Sequence, residues 1–195
     1  AVCAFTPTAP GLAEIASALR DPDGDELIAP QPIARLQVVG DQPVVVADAR
    51  LLDGADATTL APLAALADRG VALCWAELDA VAQVDARHAQ LAALGLPPAA
   101  VLAVAARERD IATLGLDFGV VNARLLVRRT RAAGVPLVAA ITTANAVDGA
   151  AAVGLPAMTL AQLAARLAAP DGLDDLRAAA ATFVAARDAA TGPAA

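Results

Sequence analysis

Four consecutive apolar residues, Val44-Val45-Val46-Ala47, run directly into a carboxylate, Asp48. The run is too short for a helix, and β-branched side chains suit a pleated surface, so it predicts a strand covered on both faces. Pro43 fits the first residue of such a strand, where no ladder donor need be lost. Apolar runs recur at Val71 to Trp75, Val101 to Ala105 and Val135 to Thr142. Between them lie stretches with helical spacing: Leu60 to Ala67, Leu78 to Leu94, Asp117 to Ala133 and Leu160 to Leu167. This alternation predicts a three-layer α/β/α fold on a mostly parallel, Rossmann-like sheet with helices on both faces. Ligands of such sheets sit outside the carboxyl ends of the strands, which makes Asp48 the first candidate functional residue. An Asp at a strand end also serves simply to turn the chain or cap a helix.

The remaining segments are read by their punctuation. Residues 1–10 read as an extended arm with a short strand at Val2 to Phe5. Leu12, Ile15 and Leu19 fall on one helical stripe and predict a helix over 11–20. Asp21-Pro22-Asp23-Gly24-Asp25 is a turn, and Ile33 to Val39 is a strand. Asp56 to Thr59 carries an N-cap signal, and Gly70, Gly95 and Gly134 stand as helix stops. Ala157 to Thr159 is an edge strand, Thr159 caps the helix that follows, and residues 171–190 form a last helix. A single domain over 1–195 is expected, with an arm, helix and strand at 1–40, an α/β core at 43–169 and a C-terminal helix.

Composition removes several chemistries. All 14 basic residues are Arg, so there is no Schiff-base lysine and no Walker-type phosphate loop. There is no Tyr and one His, His88, which takes away most zinc sites. His88 falls on the stripe of Val81, Val84, Leu91 and Leu94 and reads as a structural histidine. A net charge of −7 opposes a nucleic-acid groove, which needs a basic field. No apolar run approaches the ~18 residues of a membrane span. Cys74, in an apolar run, reads as a small buried hydrophobe, and two cysteines make no disulfide framework. A reduced, cytoplasmic setting is the expectation; the chain begins at Ala1, which leaves a removed leader open.

The order of these pieces resembles the haloacid-dehalogenase-like phosphohydrolase superfamily over roughly residues 43 to 165. In that family a strand ends in Asp-x-Asp, the first Asp attacking phosphorus and the second acting as acid/base. Val44 to Gly54 is similar, with Asp48 at the nucleophile and Arg50 where the second Asp belongs. Gly70 to Glu77 is laid out like the second motif, with Ala76 or Glu77 replacing its hydroxyl. Arg124 or Arg128 stands for the basic residue of the third. The strand Val138 to Thr143 resembles the fourth, with Thr143 at its first acid and Asp148 at its second.

The resemblance therefore implies a layered phosphohydrolase scaffold with a depleted catalytic set. A phosphoaspartate mechanism needs an ionised nucleophile, a magnesium ion held by carboxylates and an acid/base. Arg50 cannot exchange a proton and instead pairs with Asp48 or Asp148, in the metal's place. Three readings follow. The first is a degenerate domain that binds an anionic small molecule or a protein partner without turnover, through Arg50, Glu77, Arg124, Thr143 and Asp148. The second is a magnesium-dependent phosphatase or phosphotransferase in which Asp48 is catalytic, Asp48 and Asp148 hold Mg2+, and Glu77 or Asp53 is the acid/base. The third is an unrelated α/β interaction domain. Under the first no cofactor or metal is expected; under all three, neither nucleic acid nor membrane is a partner.

Overall fold

The structure is a computed structural model describing residues 11–20, 26–77, 84–96, 99, 101–103 and 118–191. Its elements in chain order are β1 (Gly11–Arg20), β2 (Glu26–Val38), β3 (Val44–Asp48), a 3-10 turn (Ala49–Leu52) and α1 (Ala57–Asp68). Then come β4 (Ala72–Glu77), α2 (Val84–Ala93), β5 (Val101–Ala103), α3 (Phe118–Ala132), β6 (Leu137–Ile141) and a second 3-10 turn (Ala144–Ala146). The chain continues with α4 (Val147–Ala151), β7 (Ala157–Met158), α5 (Leu160–Leu167) and α6 (Asp174–Thr191). No described helix is long and apolar enough to cross a membrane.

Five strands form one all-parallel sheet in the order β5-β4-β3-β6-β7. This is the doubly wound, Rossmann-like α/β arrangement. The chain starts at the centre with β3, builds outward through β4 and β5, then returns to lay β6 and β7 on the other side. The order reverses between β3 and β6, and that is where sheets of this type leave a crevice at their carboxyl ends. The Val44–Ala47 run sits at the middle of the sheet and is buried throughout, as its lack of alternation requires.

The two faces of the sheet differ in bulk. Val45, Ala47, Trp75 and Ile141 point into a core with Leu60, Leu63 and Leu66 of α1, Leu163 of α5 and Leu176 of α6. Val46, Ala76 and Ala140 point the other way, towards Leu126 of α3 and Ala150 of α4. Alanines on neighbouring strands leave this second face shallow, so helices laid across it do not fill it. Trp75 is fully buried, and its indole Nε1 finds no acceptor among the described residues.

Residues 11–20 correct the sequence expectation: they form a strand, not a helix. β1 and β2 make a separate antiparallel pair, with Gly11 opposite Val38 and Arg20 opposite Glu26. The register shifts at Ile15/Ala16 and again on either side of Leu19. Pairing is regular from Gly11 to Ile15, so no bulge lies between Leu12 and Ile15; cross-strand pairing with β2 outweighs three apolar residues at helical spacing. The expected strand at 33–39 overlaps the end of β2, which stops at Val38, begins seven residues earlier at Glu26 and pairs with β1 and not with the parallel sheet. The arm at 1–10 and the turn at 21–25 lie outside the described residues.

Helix ends follow their sequence signals. Asp56 accepts from the Thr59 backbone N–H at 2.7 Å, and that bond, with the Thr59 hydroxyl, lowers the carboxyl's pKa. Thr159 and Gln162 form a reciprocal capping box at the start of α5. Between α5 and α6 the chain turns at Gly172, where a side chain would collide with the Arg166 carbonyl. Gly172→Ala is expected to cost about 1–3 kcal/mol by forcing backbone apart, read as a lowered midpoint in urea; an unchanged midpoint contradicts this packing.

Candidate functional site

The site lies at the switch between β3 and β6. Asp48 is the last residue of β3 and only 4% exposed. Alternation along the strand turns it to the same face as Val46, the shallow one. The 3-10 turn that follows brings Arg50 back over it. Asp48 Oδ1 accepts from the Arg50 backbone N–H at 3.0 Å and from Arg50 Nε at 3.0 Å. Its Oδ2 accepts from Arg50 Nη2 at 2.5 Å and from the Thr142 hydroxyl at 3.0 Å. Both carboxylate oxygens are thus engaged, in a fork-to-fork ion pair plus a hydroxyl bond from the neighbouring strand.

Thr142 reaches Asp48 by register. Ala47 pairs with Ile141, so one residue further along places Thr142 beside Asp48. Thr142 is buried, whereas Thr143 is half-exposed at the start of the second 3-10 turn and makes no capping bond. The hydroxyl at this site therefore belongs to Thr142, the neighbour of the residue singled out from sequence. The signal was in the pleat: Thr142 lies two residues after Ala140 and shares its face.

A cavity of about 50 Å³ opens over this pair, lined by Asp48, Arg50, Thr142 and the small side chains Ala76, Ala140 and Ala146. It exists because the alanines of β4 and β6 leave room beneath α3 and α4. One water needs about 10–15 Å³ of such space, so the cavity holds a few waters or an oxyanion of similar size and not an extended organic substrate. Asp148 is exposed in the first turn of α4, between Ala146 and Ala150, which line the cavity. It does not line the cavity: two residues from each of those alanines, it falls on the other side of the helix, and its carboxylate makes no bond to Arg50 among the described residues.

Glu77 goes elsewhere. It ends β4 on the opposite face from Asp48 and is 1% exposed. Arg87 of α2 donates from Nε to Glu77 at 2.6 Å and from Nη1 to Asp53 at 2.5 Å and to Gln90 at 2.9 Å. Asp53 first, then Glu77, raise the guanidinium's pKa above its usual value against the opposing effect of burial. Glu77 and Asp53 are thereby held by one buried arginine. Arg87 was not singled out from sequence, although it lies at helical spacing with Leu91 and Leu94; an Arg on that stripe requires a buried acid. His88 beside it is half-buried.

Arg124 is exposed on α3 and lines a second groove, which shares no lining residue with the Asp48 cavity. Arg128 lines the same groove. Cys74 is buried, and burial pushes its thiol up to about 11.

The residues at the strand tips do not fit a magnesium ion. Both Asp48 oxygens face Arg50's cation, which stands where a metal would have to approach, and no group of three metal-ligating side chains occurs among the described residues. Magnesium favours oxygen ligands in near-octahedral geometry, usually with one or two protein carboxylates. Comparison with protein-family models, with curated proteins and with solved structures finds no match to this chain.

Two outcomes are expected. Arg87→Met strips the partner from buried Glu77 and costs about 3–5 kcal/mol, while the Glu77→Leu/Arg87→Met double variant recovers much of that loss. A double variant as unstable as Arg87→Met alone would contradict the pairing. The raised Cys74 pKa makes stability fully present below the ordinary value of 9.0 and lost as pH rises towards about 11. Iodoacetamide should accordingly leave Cys74 unlabelled at pH 8 in the folded chain and label it in urea, read by peptide mass spectrometry.

Proposed function

We propose that this chain is a haloacid-dehalogenase-like domain that binds a small anionic ligand at the tips of β3 and β6 without turning it over. One observation carries the reading: the carboxylate at the nucleophile position has both oxygens engaged by Arg50 and Thr142. Attack on phosphorus needs a carboxylate lone pair free to align with the leaving group, and a metal to gather the phosphoryl oxygens. Arg50 withholds both. It cannot act as an acid/base, because a guanidinium does not deprotonate in proteins.

What remains suits binding. Arg50 is held in place through Asp48, yet its side chain is 33% exposed and lines the cavity mouth. A guanidinium fixed in this way meets an oxyanion with little loss of side-chain freedom. Thr142 and the Arg50 backbone amide orient the supporting carboxylate. The size of the cavity favours a phosphate- or carboxylate-sized group over a larger organic molecule. Glu77 and Asp53, the alternative acid/base candidates, are structural partners of Arg87 on the other face of the sheet in this reading.

The test pairs an activity with a melting curve. With p-nitrophenyl phosphate and magnesium, release of nitrophenol is expected to be the same for the natural chain and for Asp48→Asn. Inorganic phosphate is expected to raise the melting temperature, and Arg50→Gln is expected to abolish the rise. Magnesium-dependent hydrolysis that Asp48→Asn removes would overturn the proposal, as would a melting temperature indifferent to phosphate.

A further inference from the structure

The second cavity is larger and of a different kind. It is an open groove of about 650 Å³ between α3 and the turn after α4, lined by Arg124, Arg128 and Arg131 together with Val127 and Val153. The three arginines follow the spacing i, i+4, i+7 and so stand along one face of α3, spanning roughly 10 Å of its axis at 1.5 Å per residue. All three are exposed. None makes a hydrogen bond or ion pair with a described residue, unlike Arg166, Arg177 and Arg187, which pair with Asp175, Asp174 and Asp41. The helix itself has four Arg and no acid over Phe118–Ala132. Two of these, Arg129 and Arg131, complement the negative end of the helix dipole. That accounts for neither Arg124 nor Arg128, and Arg124 lies near the middle of the helix. In a chain of net charge −7, an uncompensated basic stripe is a local reversal of the protein's field.

We infer that this groove docks an acidic amphipathic helix of a partner protein, its carboxylates on Arg124, Arg128 and Arg131 and its apolar side on Val127 and Val153. Charge complementarity identifies the occupant. Guanidinium forks match carboxylates two bonds at a time, and acids at i, i+4, i+7 on a second helix repeat the spacing of the arginines. Between the arginines the floor is aliphatic and low, with Ala132 and Ala152 beside the two valines, so a helix backbone can approach closely. A nucleic-acid strand fits less well. The described residues that line the groove offer no aromatic platform for bases, and the net charge repels a polyanion. The groove shares no lining residue with the Asp48 cavity, and the inference holds whether or not that carboxylate turns over a substrate.

The experiment uses the whole chain and a fluorescently labelled synthetic helix with Glu at i, i+4 and i+7 and Leu on the adjoining face. The control peptide carries Gln at the same three positions, and a single-stranded oligonucleotide is the third probe. The Glu peptide is expected to bind, and to bind about tenfold more tightly than the Gln peptide, as three exposed ion pairs of modest strength allow. An Arg124→Gln/Arg128→Gln/Arg131→Gln variant is expected to lose the same factor while melting at an unchanged temperature, since all three side chains are exposed. Equal binding of Glu and Gln peptides to the natural chain would overturn the inference without reference to any variant. So would a triple variant that binds the Glu peptide undiminished, or an oligonucleotide that binds more tightly than the peptide.

Discussion

A carboxylate taken almost wholly out of water has to be compensated where it stands, because the desolvation cost of an isolated charge is several kcal/mol even after relaxation. Asp48 is in that position at the end of the central strand. Its compensation comes from two directions. Arg50 arrives locally, through the single 3-10 turn that follows the strand, and supplies charge; Thr142 arrives from the neighbouring strand and supplies a hydroxyl. The arrangement therefore joins the two strands between which the sheet changes direction. It also places a guanidinium, which does not exchange a proton, directly against both oxygens of the carboxylate.

The same rule operates on the other face. Glu77 ends the adjacent strand with its side chain turned towards the bulkier core, and Arg87 of α2 is drawn inward to meet it, with Asp53 and Gln90 completing the guanidinium's partners. Two strand tips thus carry two buried acids on opposite sides of the sheet, each matched by an arginine. In a chain without lysine the planar fork is the only cation on hand, and it is the better one for this duty, because it binds both oxygens of a carboxylate at once. Between the tips the sheet is lined on one face by alanine, and the small cavity over Asp48 follows from that economy of volume.

Much of the scaffold was legible in the chain. The unbroken Val44–Ala47 run, the glycines at positive φ that end helices at 70, 95 and 134, and the Thr159 cap each gave an element near its observed place. These are local signals, set within a few residues. Residues 11–20 misled because three apolar residues at helical spacing are a weak local signal, which pairing with β2 overrides. At the site, Asp48 and Arg50 were readable because they are two residues apart. Thr142 and Arg87 were not, for they lie 94 and 10 residues from the acids they serve. Strand parity would have favoured Thr142 over Thr143, and the apolar stripe of α2 would have flagged Arg87. Only the register of β6 on β3 and the seating of α2 against β5 and the first 3-10 turn convert those hints into contacts.

The central claim is that Asp48 and Arg50 act as one unit inside the fold, and a double-mutant cycle measures this directly. Stability in urea would be compared for the natural chain, Asp48→Asn, Arg50→Gln and the pair together. The account predicts a coupling of about 1–3 kcal/mol, with the double variant far less destabilised than the sum of the singles. Additivity to within about 0.5 kcal/mol would mean that the two side chains do not depend on one another, and would contradict it.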